Sequence, residues 1–480
     1  MARYNPVNLC VFSAPNTANM RSGKDLGSTM PRERLVVIGG VAAGMSAASR
    51  ARRRNPELEI IVLEKGRHVS YGACGLPYYL SGEVRDSKDL IVYPPEFFRE
   101  KRNIDVRLGH EAVEIEAGRK TIHARAGSQP VAIPYDKLVI ATGGAPAETI
   151  PGVELPGVFT CSDLAGTIRL REFLEEKQPK RAVVIGSGYI GLECADAFSR
   201  RGMEVIILGR AESVLEGFEH EIGERAEAAL GAHGVRLHKK CPVTSITTAA
   251  NDGGSHVHHS SGSESADVVL LATGIVPRTK MVESAGIALG KTGAIAVDER
   301  MQTNVNAIYA AGDCVETRHL VSGIPVYFPL GTTANKQGRV AGENAGGGNA
   351  RFSGIVGTLA TKAFGLELAR TGLSVVEARA SGFDAASLTI HSASGAKYLG
   401  GRPLVATLIW DRASERLLGF QMAGEEGVAK RVDAAAIALH AHMHVPDMLY
   451  LDLSYAPPFA PVWEALLIAA SEALKKSRRM

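Results

Sequence analysis

Short apolar runs, each followed by glycine, recur along this chain, and their spacing predicts an α/β protein. The run Arg34–Ile38 (RLVVI) has the unbroken apolar character of a strand buried on both faces. It leads into Gly39-Gly40-Val41-Ala42-Ala43-Gly44 and a helical stretch, MSAASRARRR. A second apolar run, Glu59–Leu63, ends at Glu64. This is a strand–helix–strand unit with glycines at its first turn. Free N–H groups at such a helix start favour a pyrophosphate, and an acid about 25 positions on suits a pair of ribose hydroxyls. Val41 stands where G-x-G-x-x-G has its middle glycine, so this unit alone is a weak signal.

The same pattern returns. Ala182–Ile185 is a predicted strand, Gly186-Ser187-Gly188-Tyr189-Ile190-Gly191 opens a helix, and Glu204–Leu208 is the next strand. Here all three glycines are present. Two dinucleotide turns roughly 150 residues apart are far more specific than one. They imply two dinucleotides, one able to reduce the other. Two further strands end in small-residue turns that let backbone approach a cofactor: Lys137–Ile140 before Ala141-Thr142-Gly143-Gly144, and Val268–Leu271 before Ala272-Thr273-Gly274. The segment Thr303–Asp313 reads as a strand ending in Gly312-Asp313, which sets a carboxylate beside whatever the sheet binds.

Past residue 350 the texture changes, with Gly346-Gly347-Gly348 as the boundary. Strand-like pieces (Leu404–Trp410, Leu417–Met422) alternate with amphipathic helices (Val428–His442, Pro461–Leu474), and no glycine-rich dinucleotide turn follows. The polar stretch Asn251–Ser265 reads as a surface hairpin loop. Its His256, His258 and His259 are not taken as a metal site, and no metal is expected. Residues 1–30 read as a polar tail, with Met30 an alternative start.

Composition narrows the function. Lys plus Arg total 54 against 51 Asp plus Glu, a net charge of +3 that favours neither nucleic acid nor an acidic membrane surface. No apolar run reaches the roughly 20 residues of a spanning helix. The six cysteines (10, 74, 161, 194, 241 and 314) are scattered with no close pair, which argues against a disulfide framework or a thiolate zinc site. A reducing, cytoplasmic setting fits best.

With these motifs in this order, residues 33 to 460 resemble the FAD-dependent pyridine nucleotide–disulfide oxidoreductases. The resemblance implies two interleaved doubly wound Rossmann-like dinucleotide-binding domains plus a C-terminal α+β dimerisation domain. It divides the chain into a first FAD-binding part (31–150), an NAD(P)H-binding domain (151–273), a second FAD-binding part (274–349) and the dimerisation domain (350–480). It assigns Gly39, Gly40, Ala42, Ala43, Gly44 and Glu64 to the ADP half of FAD. Asp313, after Gly312, falls at the flavin ribityl chain. Gly186, Gly188, Tyr189, Ile190, Gly191 and Glu193 fall at NAD(P)H, and Ala141, Thr142, Gly143 and Gly274 are expected to line a cofactor, with neither dinucleotide singled out.

Within that family the decisive segment is Ser70-Tyr71-Gly72-Ala73-Cys74-Gly75-Leu76-Pro77-Tyr78-Tyr79. Dithiol members carry a second cysteine five residues after the first; here that residue is Tyr79. The chain therefore resembles the single-cysteine group: coenzyme A-disulfide reductases, persulfide or polysulfide reductases, NADH oxidases and peroxidases. Oxidases and peroxidases of the group place a histidine in the first glycine turn, where this chain has Ala42. Gly39–Ala42 and Tyr455-Ala456-Pro457-Pro458-Phe459 look like coenzyme A-disulfide reductases; the ending APVWEALL departs from them. The expected acceptor is a disulfide or persulfide of coenzyme A, and oxygen is the alternative.

Cys74 is the candidate nucleophile. It needs a thiol pKa below the free value of about 8.5, for which a helix N-terminus would serve; a buried structural cysteine is the alternative reading. Tyr189 would cover the nicotinamide face of the flavin, or simply pack. Glu193 would meet the nicotinamide or its ribose, or serve the helix dipole. The resemblance implies tyrosines reaching across a homodimer, here Tyr455 and, more loosely, Tyr398, to protonate the leaving thiolate. It places Arg53 and Ser70 in a coenzyme A channel; a solvated basic helix face is equally compatible with Arg50, Arg53 and Arg54. The acid that would select NADH falls at Gly209, and Arg210 follows it, so NADPH is expected over NADH.

Overall fold

The computed structural model describes residues 32–147, 150–249 and 254–477. The expected N-terminal tail lies outside them. Two parallel five-stranded sheets carry the dinucleotide turns. The first runs in the order Ile308–Ala310, Lys137–Ile140, Arg34–Ile38, Glu59–Glu64, Asp105–Leu108. The second runs Arg236–His238, Glu204–Leu208, Arg181–Ile185, Val268–Leu271, Val158–Thr160. In each, the strand before the glycine turn is central, and its residues are buried because helices pack on one face and a three-stranded antiparallel sheet packs on the other. Register is parallel throughout, so Ile38 stands beside both Leu63 and Ile140 at the end where the glycines begin.

A two-stranded ribbon, Gly144–Pro146 against Ile275–Pro277, links the two sheets. Each sheet also has a three-stranded antiparallel appendage. The one built from Val243–Thr248, Ser255–His259 and Gly262–Ala266 corrects the expectation of a loop at Asn251–Ser265. Its polar residues conceal a period of two: Ser255, Val257 and His259 are buried, while His256 and His258 face the other side. Residues 251–253 lie outside the described set. Among the described residues no His, Cys, Asp and Glu cluster has metal-ligand geometry.

The C-terminal part is an antiparallel sheet in the order Leu359–Ala363, Leu366–Gly372, Leu417–Gly424, Pro403–Asp411, Ala385–Ala393. The helices Val428–His440 and Ala465–Ser477 pack on it. The last helix begins four residues later than its apolar pattern predicts: Pro461 to Glu464 form an irregular lead-in, and the Glu464 carboxylate accepts from Leu466 N–H. Among the described residues no helix is long and apolar enough to cross a membrane.

Candidate functional site

At the first glycine turn, backbone leaves no room for side chains. Gly39 has φ +104°, and a β-carbon there would stand 2.1 Å from Ala141 O. Gly44 would clash with Gly39 O at 1.8 Å. The helix Ala42–Arg54 therefore starts hard against the strand ends, with Ala42 and Ala43 in its first turn. Glu64 is buried at the next strand end. Its Oε2 accepts from Gly40 N–H at 2.7 Å and its Oε1 from Gly66 N–H at 2.6 Å. Each oxygen keeps a free lone pair, which fits a pair of ribose hydroxyl donors.

Gly312-Asp313 closes the same cleft. The strand there is shorter than the sequence implies: Ile308–Ala310 alone pairs with the sheet, and Thr303 to Ala307 form a turn whose Thr303 N–H and Oγ1 both reach Ile308 O. Gly312 (φ +87°) packs so close that an added β-carbon would lie 2.8 Å from Ala43 Cβ. The Asp313 carboxylate makes no hydrogen bond or ion pair among the described residues, and burial pushes its pKa up. An under-satisfied acceptor in a desolvated cleft fits the hydroxyl donors of a flavin side chain. Ala141, Thr142 and Gly143 sit opposite. Thr142 Oγ1 donates to Arg278 O, Arg278 N–H to Gly143 O and Arg278 Nε to Gly144 O, which fixes this turn to the ribbon next to Gly274.

Cys74 lies in a 3-10 turn, Ala73–Gly75, just before the short helix Leu76–Ser81. Its side chain is exposed, whereas Cys161, Cys194, Cys241 and Cys314 are buried. A second and longer helix, Gly331–Ala345, begins at the sulfur: a β-carbon on Gly331 would be 3.8 Å from Cys74 Sγ. The pKa expectation is corrected here. Surrounding protein pushes the thiol up, and the carboxylates of Glu193 and Asp313 push it the same way. The same geometry shows that Cys74, Glu193 and Asp313 share one site. Tyr79, in place of a second cysteine, is buried beneath the Arg171 guanidinium at 4.3 Å.

The second turn repeats the first. A β-carbon at Gly186 would lie 2.2 Å from Ala272 O and one at Gly191 2.1 Å from Gly186 O, while Gly188 faces open space. Tyr189 and Ile190 begin the helix Tyr189–Arg200. Tyr189 is pushed up by burial and by Asp313, Cys74 and Glu193, so its ring belongs to the same cleft. Glu193 sits one turn on and accepts from Thr361 Oγ1 at 2.6 Å. Arg210 is exposed beyond Gly209, beside Lys239 and Lys240, because Gly209 N–H donates to His238 O and Lys240 N–H to Ala211 O.

The basic helix face divides. Arg50 and Arg54 both pair with Glu343, leaving Arg53 exposed. Burial and the cations Arg102, Arg50 and Arg339 lower the Arg53 pKa. Arg102 lies over the Phe97 ring at 5.2 Å. Ser70 holds a left-handed backbone (φ 51°) against Gly40 O. Arg102, Arg339 and Thr361 have no motif around them to mark them as site residues, and Tyr78 lies inside the Ser70–Tyr79 segment with no role of its own legible there. Tyr398 and Tyr455 are exposed, and their loops meet through Ala396 N–H to Pro457 O at 2.8 Å. The fold also brings together two cysteines that sequence spacing keeps apart: the thiol of Cys161, with burial, pushes the Cys194 thiol well up.

Residues 33–338 match the family model described as pyridine nucleotide-disulphide oxidoreductase, and residues 359–466 match its dimerisation domain. The chain belongs to this family. The oxidoreductase is 40% identical over 445 residues to an NAD(P)H sulfur oxidoreductase (CoA-dependent) of Pyrococcus furiosus, covering 92% of this chain and 99% of the relative. It is 32% identical to an NADH oxidase of Methanocaldococcus jannaschii, covering 92% and 99%. It is 29% identical to a coenzyme A disulfide reductase of Staphylococcus haemolyticus, covering 89% and 96%. An NAD-dependent persulfide reductase from A. fulgidus superposes with a TM-score of 0.90 at 38% identity, covering 93% of this chain and 84% of that one. The oxidoreductase is therefore an FAD- and NAD(P)H-dependent enzyme of the α/β architecture described above.

Proposed function

We propose that this enzyme reduces a disulfide or persulfide of coenzyme A, using NAD(P)H and the single redox thiol Cys74. The observation that carries this reading is the accessible Cys74 thiol beside Asp313, Glu193 and Tyr189, with Tyr79 where a partner cysteine would stand. FAD, when bound, supplies the two-electron link between nicotinamide and thiol. Glu64 and Asp313 would hold its two sugar-like chains, and the glycine turns its pyrophosphate. Glu193 and Tyr189 would face the nicotinamide.

The Cys74 thiolate attacks one sulfur of the substrate, forming a mixed disulfide and releasing a thiolate. Tyr455, with Tyr398, would give that leaving group its proton. Two electrons from NAD(P)H then cleave the mixed disulfide, so one disulfide, one NAD(P)H and one proton yield two thiols and NAD(P)+. Arg53, Arg102 and Arg339, with Ser70, would receive the anionic end of coenzyme A, which three clustered cations favour. The exposed face bearing Tyr398, Tyr455, Phe459 and Trp463 would be covered by a second copy of this chain in a homodimer. Among the described residues an exposed Cys74 with the other free thiols buried suits a reducing cytoplasm.

The alternative, an oxidase, is disfavoured because Ala42, which offers no proton, stands where such an enzyme would carry a histidine. Anaerobic turnover of NAD(P)H with coenzyme A disulfide, coenzyme A persulfide or polysulfide tests the reading. Disulfide- or persulfide-dependent consumption is expected. Equal consumption with oxygen as the sole acceptor would refute it.

A further inference from the structure

Glu193 is held by a residue from the far end of the chain. Thr361 is buried in the strand Leu359–Ala363, the first of the C-terminal sheet, and this strand packs on the helix Tyr189–Arg200. Its hydroxyl donates to Glu193 Oε1 at 2.6 Å, in the range of a charge-assisted bond. A glutamate has three side-chain torsions, and one such bond fixes an oxygen that would otherwise sweep the cleft. Oε2 has no partner among the described residues.

We propose that Thr361 is a positioning residue for the nicotinamide half-reaction, fixing the Glu193 carboxylate in the orientation an incoming NAD(P)H meets. The inference rests on the reading of Glu193 as a nicotinamide contact. The C-terminal sheet thereby contributes to hydride delivery as well as to subunit contact. The groups around Glu193 make the hydroxyl consequential. Burial pushes its carboxyl up, and Thr361 pulls it back toward ionisation. Cys74, Tyr78 and Tyr189 face it from the helix starts, Cys194 adjoins it, and each is pushed up in part by its charge. No cation is among the groups that shift it. Without the hydroxyl, the carboxylate form loses its one donor.

The test is anaerobic stopped-flow of the holoenzyme across pH, reading flavin reduction by NAD(P)H separately from reoxidation of the prereduced enzyme by coenzyme A disulfide. Thr361→Val keeps shape without the donor, Thr361→Ser keeps the donor, and Glu193→Gln sets the baseline. In Thr361→Val the concentration of NAD(P)H for half-maximal reduction should rise by at least about tenfold, as for a lost hydrogen bond to a charged group. The acid limb of reduction should move to higher pH, with reoxidation within about twofold of wild type, and Thr361→Ser should behave as wild type. If Glu193→Gln is impaired while Thr361→Val is not, the positioning role is refuted and the Glu193 reading stands. If Glu193→Gln reduces its flavin normally, both fail. Equal loss in both half-reactions of Thr361→Val, with a lowered Tm, shows only a packing role and overturns the proposal.

Discussion

The first residue of the helix Gly331–Ala345 meets the sulfur of Cys74, with the Gly331 Cβ direction ending 3.8 Å from Sγ. Two influences therefore oppose each other at one thiol. A helix N-terminus favours the thiolate, by about 0.3–1 kcal/mol at an exposed site. Burial, Glu193 and Asp313 disfavour it.

The sign of that balance is measurable. A thiol held above its ordinary pKa is mostly protonated at neutral pH, so its alkylation should still be speeding up at pH values where a free thiol has levelled off. Glu193→Gln removes one negative neighbour, lowers the thiol pKa and should accelerate alkylation at fixed neutral pH. Iodoacetamide kinetics against pH, followed by intact mass, read this directly. Slower alkylation in Glu193→Gln would show that Glu193 does not act on Cys74 through its charge.

Coenzyme choice should follow Arg210. A side chain at Gly209, where an NADH-selecting acid would stand, would press on Ser187 Oγ at 2.7 Å, and the neighbouring strand brings Lys239 and Lys240 alongside. An acid is absent at that position and three cations are near, although Lys240 is paired with Glu212 at 2.6 Å and Lys239 with Glu227 at 2.8 Å. Arg210→Glu should lower the ratio of kcat/KM for NADPH over NADH by at least about tenfold, the worth of one charge-assisted bond to phosphate. An unchanged ratio would place the 2′-phosphate elsewhere.

Arg431 ties together the two loops that carry the proposed proton donors. Its Nη2 donates to Ser394 O and to Phe459 O, each at 2.8 Å, and Nη1 donates to Gly427 O at 3.0 Å. Nε pairs with the buried Glu464. Arg431→Met removes the fork and strands that carboxylate, at about 3–5 kcal/mol of stability. Arg431→Met/Glu464→Leu removes both charges. If the loops need the fork, the double variant should regain Tm yet still reoxidise slowly with coenzyme A disulfide, while its flavin reduction stays normal. Full recovery of reoxidation would make Arg431 a stability residue only.

The legible parts of this fold are those in which local sequence and tertiary role agree. Arg34–Ile38, Glu204–Leu208 and Val268–Leu271 are strands to the residue, because continuous apolar runs flanked by glycine have few other uses. Cys74 was legible through its flanking motif. The hairpin around His259 is legible as a turn of the chain but not as paired strands, since its buried face is made of Ser255, Val257 and His259, and a polar alternation resembles a loop. Thr361 and Arg339 were illegible for a different reason. They reach the site across long stretches of chain, and nothing beside them in sequence marks the arrival. The direction of the Cys74 pKa is not legible in the sequence, because its burial and its neighbours Glu193 and Asp313, from separate motifs, come together only in the fold.

The decisive prediction concerns how the enzyme stores its oxidant. Tyr79 sits under Arg171 where a resolving cysteine would be, and the buried thiols Cys161, Cys194, Cys241 and Cys314 are enclosed in hydrophobic cores. Among the described residues Cys74 therefore has no internal cysteine partner, and its expected oxidised forms are a sulfenic acid or a mixed disulfide with a small thiol. If the substrate is a disulfide of coenzyme A, that small thiol is coenzyme A itself. Intact-mass measurement of untreated protein should show one adduct that reductant removes. Cys74→Ser should lose both the adduct and disulfide turnover, while NAD(P)H still bleaches the flavin, since Glu193 and Tyr189 remain in place. Wild-type disulfide reduction by Cys74→Ser would make Cys74 structural and end the assignment. Loss of turnover without a coenzyme A adduct would keep the thiol chemistry and move the substrate to another small disulfide or a persulfide.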